Sequence, residues 1–370
     1  MSGTGPIGVG LIGAGVISKQ YLENLTSFPD IVVHAIGDVY EPVAEERAKE
    51  FGIETWGGVD ATLGHPDVEI VINLTVPAAH VQIALAALAA GKHVWTEKPF
   101  SLDRPSGLAL LAAADTAGMR LGSAPDTFLG AGLQTARRMI ERGDIGVPLT
   151  ALTLMQSPGP ESWHPNPAFL FQEGAGPLFD IGPYYLTALM QTFGSVRRVA
   201  ALGSTSRETR VIGSGPKAGE RFEVTVPSHV SAIAEFEGGQ SSQSIFSFDS
   251  PLGRHGFVEV TGTEGTMSFP DPNDFDGDIR VRHAGDEDWT VYPSVGATSS
   301  RGVGVLEMGR AIRADRPHRA TGELAYHVLD TMVSISESID SRSFVEVQSS
   351  MTPVTAVPED WDPTVATLYA

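Results

Sequence analysis

The alternation of short apolar runs with amphipathic stretches between Ile7 and Ala124 is the feature that most constrains the fold. A short apolar run suits a strand buried on both faces, and an amphipathic stretch suits a helix with one buried face. Strands and helices in alternation are typical of a parallel sheet covered by helices on both sides. The predicted strands are Ile7–Ile12, Ile31–Asp38, Glu69–Leu74, His93–Thr96 and Arg120–Ala124.

Helices are predicted between these strands, and several of them end at a glycine that suits the left-handed backbone of a helix C-terminus. Those glycines are Gly52, Gly91 and Gly118. The predicted helices are Ser18–Leu25, Val43–Phe51, Ala79–Ala90 and Pro105–Ala117. The first part of the chain is therefore predicted to be a doubly wound α/β domain.

The pattern changes after Ala124, because short alternating strands then follow one another without helices between them. Such a succession predicts an open, mostly antiparallel sheet with helices on one face, an α+β domain. A chain of 370 residues is also longer than one core usually supports. We therefore expect two domains, 1–124 and 125–370. The predicted strands and helices of the second are Leu149–Gln156, Val230–Phe236, Gln243–Phe248, Val258–Gly262, Leu129–Arg142, Leu178–Phe193 and Gly322–Ser338.

Two polar segments of the second domain, Gly203–Glu220 and the acidic Asp271–Asp288, are expected to form surface loops or hairpins.

A formal net charge of −20 would repel phosphate backbones and anionic lipid, so we expect neither nucleic acid nor membrane as a partner. The chain contains no cysteine, which excludes disulfides, a thiolate nucleophile and cysteine-ligated metals. The N-terminal residues lack the features of a signal peptide, so a cytoplasmic protein is expected. The histidines of the second half show no metal-ligand spacing, and no metal is expected.

A glycine turn follows the first predicted strand, at Gly13 and Gly15, and Val16 and Ile17 then open a helix. In this context the backbone N–H groups and the helix N-terminus can hold a pyrophosphate. Ser18 stands where the third glycine of the fingerprint is usual, and it is small enough for close packing. Taken alone, the same residues also fit an ordinary tight turn.

Asp38 strengthens the dinucleotide interpretation, because it ends the second strand where a carboxylate would accept hydrogen bonds from the adenosine ribose. Val39 and Tyr40 follow it, and neither could receive a 2′-phosphate as an arginine would. NAD is therefore expected in preference to NADP. A helix cap by Asp38 is compatible with the same position.

Lys98 lies in the segment Val94–Pro99, just after a predicted buried strand. Ligands of open parallel sheets bind at this carboxyl edge. A lysine there can act as a base once its pKa is lowered, or can polarise a substrate hydroxyl as a cation. A surface lysine paired with Glu97 is the alternative.

The glycine turn, Asp38, Thr75-Val-Pro-Ala-Ala-His80, Glu97-Lys-Pro99 and Asp180-Ile-Gly-Pro-Tyr184 occur in one order along the chain. In this the chain resembles the glucose–fructose oxidoreductase, inositol dehydrogenase and rhizopine catabolism (Gfo/Idh/MocA) family over nearly its whole length. The resemblance implies a Rossmann domain followed by a substrate-binding and oligomerisation domain. It also implies hydride transfer between NAD(P) and a sugar, polyol or cyclitol, in a homodimer or homotetramer.

By the same resemblance Lys98 is the catalytic lysine. Residues lining the dinucleotide near the nicotinamide ribose would be Thr75, Pro77, His80 and Glu97.

Asp180 and Tyr184 are four residues apart in a predicted helix, so they share one face and can act on one substrate. Many family members have histidine where Tyr184 stands, whereas the glucose–fructose oxidoreductase and dihydrodiol dehydrogenase branches are similar in having tyrosine. The ordinary pKa is near 6.5 for histidine and near 10 for tyrosine, so a nearby cation must stabilise the phenolate. We hypothesise that Tyr184 takes the hydroxyl proton, Lys98 lowers its pKa and Asp180 orients the hydroxyl. Lys98 as the direct base, and Tyr184 as a core aromatic, are the alternatives.

A Pro-rich loop carries Trp163 and His164, which could stack on and hydrogen-bond to a sugar ring. Asp126, beyond the last strand of the first domain, is a further candidate for substrate contact.

Two other functions stay open. One is an NAD-dependent glycosidase of the same family, and the other is a non-catalytic NAD or sugar sensor. Joint retention of Lys98, Asp180 and Tyr184 favours the dehydrogenase.

Overall fold

The computed structural model describes residues 4–369, whose contacts group them into two compact units. The first unit contains the chain up to Gly130 together with Gly296–Leu329 and the tail from Val357. The second contains Ala131–Val295 and Asp330–Ala356. The boundary predicted between residues 124 and 125 stays a prediction, and by contacts two later segments group with the N-terminal part.

A six-stranded sheet forms the centre of the first unit, and every neighbouring pair in it is parallel. Its strands are β1 (Ile7–Ile12), β2 (Ile31–Gly37), β3 (Thr55–Gly57), β4 (Ile70–Asn73), β5 (His93–Thr96) and β6 (Leu121–Ser123). Their order, β3-β2-β1-β4-β5-β6, is that of the doubly wound dinucleotide-binding fold. The predicted fold class of this part is confirmed, and β3 is an additional short strand.

Helices accompany this sheet, and several of them end as the sequence predicts. Gly52 and Gly118 close two of the helices with left-handed backbone, at φ +69° and +63°. The helices before residue 130 are α1 (Val16–Leu25), α2 (Glu41–Phe51), α3 (Val59–Leu63), α4 (His80–Ala89) and α5 (Arg104–Ala117).

The tail of the chain is fixed to the first unit through Asp30, whose side chain is completely buried. Its carboxylate accepts hydrogen bonds from the backbone N–H groups of Thr367 and Leu368 and from Arg310 Nε (2.8 Å). Burial opposes the charged form, but these hydrogen bonds outweigh it and lower the pKa of Asp30. The buried ion pair therefore holds the C-terminal segment against the N-terminal domain.

The second unit begins with α6 (Ala131–Glu141) and contains a nine-stranded sheet. Within this sheet only β7 and β12 pair in parallel, so the predicted mostly antiparallel sheet is confirmed. Its strands are β7 (Pro148–Gln156), β8 (Val196–Ser204), β11 (His229–Phe236), β12 (Ser241–Ser247), β13 (Arg254–Gly262), β14 (Gly265–Ser268), β15 (Ile279–His283), β16 (Thr290–Tyr292) and β17 (Val345–Glu346).

One face of this sheet is covered by α7 (Gly176–Phe193), which packs on β7, β11 and β12. On the opposite face Leu152, Leu202 and Ile233 are exposed. Of the two polar segments, the first forms part of a hairpin of β9 (Thr209–Val211) and β10 (Arg221–Glu223), and the acidic one contains β15.

Two further helices follow β16, α8 (Val303–Arg313) and α9 (Gly322–Ser341). Helix α8 was not predicted, because its glycines weaken the helical signal. A Cβ on Gly304 would lie 2.1 Å from the Trp95 ring, and one on Gly309 would lie 2.7 Å from Ile7. The glycines are therefore required by close packing. Across residues 4–369, no helix has the combined length and apolar character that crossing a membrane requires.

Candidate active site

The glycine turn joins the end of β1 to the start of α1. Gly13 has φ +102°, and a Cβ on it would lie 2.6 Å from the carbonyl carbon of Leu74. Gly15 is the N-cap of α1 and has open space where a side chain would begin. Val16 is 95% exposed, whereas Ile17 is half-buried. The turn therefore combines a position that only glycine can occupy with an open helix N-terminus, which is the shape that a pyrophosphate needs.

The carboxylate of Asp38 is bound to this turn. Its Oδ2 accepts a hydrogen bond from the Ala14 N–H (2.7 Å), and its Oδ1 accepts one from the Tyr40 N–H (2.8 Å). A carboxylate has acceptor sites for about four hydrogen bonds, so sites remain for ribose hydroxyls. Asp38 is not the N-cap of α2, because that position belongs to Tyr40.

Ser18 is completely buried, and its hydroxyl donates a hydrogen bond to the Gly15 carbonyl (2.6 Å). The serine at the third position of the fingerprint therefore fits the close packing and has its polar group satisfied. These contacts are compatible with NAD held between the turn and Asp38.

A buried chain of hydrogen bonds lies beside Lys98. Trp95 Nε1 donates to Tyr21 Oη (3.2 Å), and Tyr21 Oη donates to Glu97 Oε1 (2.7 Å). The other oxygen of Glu97 accepts from the backbone N–H of Lys98 (3.0 Å). Burial, together with the negative charges of Glu97 and Asp126, raises the pKa of Tyr21, so its phenol stays a donor. Glu97 is 9% exposed, and Lys98 is half-buried.

His80 connects the two loops that follow β4 and β5. It is 1% exposed, and its ring nitrogens lie 2.9 Å from the Pro99 carbonyl oxygen and 3.0 Å from that of Thr75. Burial lowers its pKa. Asn73 also binds this region, since its side chain donates to the His80 carbonyl (2.9 Å) and accepts from the Thr75 hydroxyl (2.7 Å). Contact between His80 and the dinucleotide stays a prediction, and the observed contacts give it a positioning role for Thr75 and Pro99.

Pro77 begins a single 3-10 turn that leads into α4. It is half-buried, as is Thr75. Their predicted contact with the nicotinamide ribose stays a prediction.

Asp126 is completely buried and binds the start of α8. Its Oδ2 accepts hydrogen bonds from the N–H groups of Gly302 (2.9 Å) and Gly304 (3.0 Å). Its Oδ1 has no hydrogen-bond partner among the described residues. Burial raises its pKa to about 6, against the opposing charge of Arg301. Substrate contact by Asp126 stays a prediction, and what the structure displays is a carboxylate that positions a helix N-terminus.

In the second unit, Asp180 and Tyr184 lie one turn apart near the start of α7, as predicted. Asp180 is half-buried and Tyr184 is 6% exposed. The hydroxyl oxygen of the adjacent Tyr185 accepts a hydrogen bond from the Gly256 N–H (2.8 Å). Burial raises the pKa of Tyr185. Tyr185 therefore has a structural role, and it provides a control for substitutions of Tyr184.

Trp163 and His164 lie on the loop after β7. Trp163 is 67% exposed, and its ring meets that of His164 edge-on with centroids 5.5 Å apart. His164 in turn packs edge-on against Phe169 at 5.6 Å. The loop thus presents a row of rings, of which Trp163 is the most exposed.

One group of potential metal ligands occurs among residues 4–369: His34, His65 and Asp67, whose ligand atoms lie within 4.8 Å of one another. His65 Nδ1 accepts a hydrogen bond from the Asp67 N–H (3.2 Å), so this nitrogen already has a partner. The Lys92 ammonium donates to the His65 carbonyl (2.9 Å) and brings a positive charge to the cluster. This arrangement does not favour a cation, and the expectation of no metal stays a prediction.

Sequence reasoning missed Tyr21, Trp95 and Asn73. Each lies in an element whose buried face is expected to be apolar, so only their ability to form hydrogen bonds marks them in the sequence.

Comparison with known proteins agrees with this geometry. Residues 7–124 match the oxidoreductase family with an NAD-binding Rossmann fold, and residues 133–268 match the Gfo/Idh/MocA C-terminal domain. The fold and the glycine turn thus define an NAD-binding oxidoreductase. The chain belongs to the Gfo/Idh/MocA family, and the predicted family and the predicted cofactor NAD are confirmed.

Several relatives are dehydrogenases. Trans-1,2-dihydrobenzene-1,2-diol dehydrogenase of Bos taurus is 26% identical over 271 residues, which are 71% of this chain and 74% of that protein. Scyllo-inositol 2-dehydrogenase (NAD(+)) of Bacillus subtilis is 25% identical over 277 residues, 74% of each chain. The structure of levoglucosan dehydrogenase with NADH and levoglucosan superposes with a TM-score of 0.80 at 22% identity, covering 93% of this chain and all of that one (100%).

Asp126 should make stability depend on pH. The unfolded carboxyl ionises near 3.8 and the folded one near 6, so the folded state binds more protons between these values. The contribution of Asp126 therefore lowers the free energy of unfolding as pH rises from about 4 to about 6, by on the order of 3 kcal/mol. Denaturant unfolding of Asp126→Asn and wild type across this range measures the difference.

The matched control is Asp103→Asn. Asp103 is exposed and accepts from the Ser106 N–H (2.7 Å) at the start of α5. This variant makes the same chemical change at an exposed position of the same unit. Equal pH dependence of Asp126→Asn and wild type would show that the ionisation of Asp126 is not linked to folding.

Proposed function

We propose that this enzyme oxidises a secondary hydroxyl group of a sugar, polyol or cyclitol with NAD as the hydride acceptor. The observation that carries the proposal is the position of Lys98 directly after β5, at the sheet edge where the glycine turn follows β1. Glu97 accepts from the Lys98 N–H and is itself fixed by Tyr21. Relatives that act on inositol, levoglucosan and a dihydrodiol support this substrate class.

In this mechanism Tyr184 accepts the proton of the substrate hydroxyl through its phenolic oxygen. The Lys98 ammonium stabilises the phenolate and so lowers the pKa of the Tyr184 hydroxyl. This lower pKa allows Tyr184 to accept the substrate proton. Asp180 accepts a hydrogen bond from a substrate hydroxyl and orients it. Bound NAD supplies the nicotinamide that takes up the hydride when the C–H bond breaks.

The substrate class is tested by incubating the purified protein with NAD and a panel of sugars, polyols and cyclitols while NADH absorbance is followed. We expect at least one member of the panel to reduce NAD, and no reduction with NAD alone. Binding of NAD without any reduction across the panel would contradict the proposal and favour a glycosidase or a sensor. Cleavage of a glycoside without net NADH would identify the glycosidase.

The proton acceptor is tested by Tyr184→Phe, with Tyr185→Phe as the matched control. Loss of the acid/base group should lower kcat by about 10²- to 10⁴-fold. Tyr185→Phe loses a structural hydrogen bond, so it should lower stability by about 1 kcal/mol and leave kcat nearly unchanged. Near-normal turnover by Tyr184→Phe would transfer the base role to Lys98.

The role of Lys98 is separated from that of Tyr184 by the pH profile. We expect kcat to rise with pH as the catalytic base loses its proton. If Lys98 lowers the pKa of Tyr184, Lys98→Met should shift this rise to higher pH by about one unit or more. Complete loss of the rise would assign the base to Lys98 itself.

We further propose that the exposed sheet face of the second unit associates with a second copy of the chain. Leu202 is 70% exposed, Ile233 45% and Phe344 54%, and together with Leu152 they line a shallow groove. Contiguous apolar surface of this kind is typical of interfaces.

Light scattering should show a dimer or tetramer. Leu202→Glu should reduce it to a smaller species, whereas Val365→Glu on the tail should leave the assembly unchanged. A wild-type monomer would contradict this assembly.

A cytoplasmic location stays a prediction.

A further inference from the structure

A buried arginine in the second unit holds the loop that carries Trp163 and His164. Arg210 lies in β9, in the polar segment between β8 and β11, and it is 3% exposed. A buried arginine is unusual unless its donors are paired. Its partners therefore show what it does.

The guanidinium of Arg210 connects two segments of the chain. Nη1 donates to the Glu161 carboxylate and to the Pro158 carbonyl (3.2 Å), both in the loop. Nη2 donates to the Asp249 carboxylate and to the Phe248 carbonyl (3.0 Å), just after β12. One planar group thus fixes the loop to the end of a core strand, a geometry that the single ammonium of lysine cannot reproduce.

Arg210 contributes a positive charge to a polar cluster that also contains Asp249, Ser206 and Ser228. Burial opposes ionisation of Asp249, but hydrogen bonds from Ser206 (2.6 Å) and Ser228 (2.6 Å) and the charge of Arg210 outweigh it and lower the pKa of Asp249. The Arg210 guanidinium also packs over the Phe171 ring, 4.7 Å from its centre. Loss of the arginine would leave the largely buried carboxylates of Glu161 and Asp249 without the cation that pairs with them.

The backbone of the loop is fixed to the same hairpin. The Gly213 N–H donates to the Glu161 carbonyl (2.7 Å). Gly159 has φ +106°, and a Cβ there would lie 2.2 Å from Glu161 Oε2 and 2.6 Å from Arg210 Nη1. The ion pair therefore occupies the space beside Gly159.

The result is an exposed aromatic side chain on an anchored loop. Trp163 is 67% exposed, yet it follows Glu161 by only two residues, and the hairpin holds Glu161 through both its carboxylate and its backbone carbonyl. Binding a sugar ring to a side chain on an anchored loop costs less conformational entropy than ordering a free loop. Stacking on the ring then contributes more of its free energy to affinity.

We propose that Arg210 is a positioning residue that sets substrate affinity by holding Trp163 and His164 in the geometry that contacts the sugar or cyclitol. This inference rests on the proposed function for the identity of the substrate. Arg210 touches neither substrate nor cofactor in this role, and it acts through the loop.

The test compares Arg210→Lys with Arg221→Lys. Arg221 lies in the same hairpin, is exposed, and donates to the Thr209 hydroxyl (2.7 Å), so the control makes the same chemical change without touching the loop. Arg210→Lys should raise KM for the substrate by about tenfold or more, with KM for NAD within about twofold of wild type. Arg221→Lys should change neither. An unchanged substrate KM in folded Arg210→Lys would overturn the proposal, as would equal rises in both KM values.

A second readout does not depend on activity. In protein labelled with 5-fluorotryptophan, the ¹⁹F resonance of Trp163 is identified by its loss in Trp163→Phe. Arg210→Lys should shift or broaden this resonance and leave those of Trp56, Trp95, Trp289 and Trp361 in place. An unmoved Trp163 resonance would overturn the proposal even if no substrate had been found, whereas failure of the proposed function would leave the spectral change intact.

Glu161→Gln provides a milder variant should Arg210→Lys not fold. It removes one charge of the pair and keeps the side-chain shape. The same shift of the Trp163 resonance and a smaller rise in substrate KM, about threefold or more, are expected. Wild-type values for both would overturn the proposal.

Discussion

The hydrogen bond from Tyr21 to Glu97 is the contact on which the arrangement of the glycine turn and the Lys98 segment in the first unit depends. Tyr21 belongs to α1, the helix that begins at the glycine turn, and Glu97 precedes Lys98 at the end of β5. The pair is buried, so removing the phenol would leave a carboxylate short of a partner and cost about 1–3 kcal/mol. Through this contact the helix that begins at the glycine turn and the segment that carries Lys98 are held in one geometry.

The surrounding polar groups extend this arrangement along the carboxyl edge of the sheet. His80 lies between the carbonyls of Thr75 and Pro99, and Asp38 accepts from the backbone of the glycine turn. These side chains come from loops after different strands, which a parallel sheet brings to one edge. The edge is therefore held by hydrogen bonds to backbone atoms, which fix the loops without occupying the exposed surface at Gly15 and Val16.

Much of this could be predicted from the sequence, because the evidence was local. The alternation of strands and helices, the glycine turn and the position of Lys98 depend on residues close together in the chain. Helix α8 could not be predicted, because Gly304 is present to accommodate Trp95, a contact with a residue about two hundred positions away. Strand β8 was missed because Arg197 and Arg198 interrupt its alternation of apolar residues. Arg210 lay in a segment predicted as a surface loop or hairpin, and only the folded chain shows that it is buried.

The central claim is that the chain transfers hydride from a C–H bond of a carbohydrate or cyclitol to NAD. Its most direct test follows deuterium from the reacting carbon of the substrate that reduces NAD fastest. The account predicts that the NADH formed contains one deuterium at C4 of the nicotinamide, as seen by NMR and mass spectrometry, and that the solvent contains none. Formation of product with the deuterium released to water, or retained in the substrate while NAD is reduced, would contradict it.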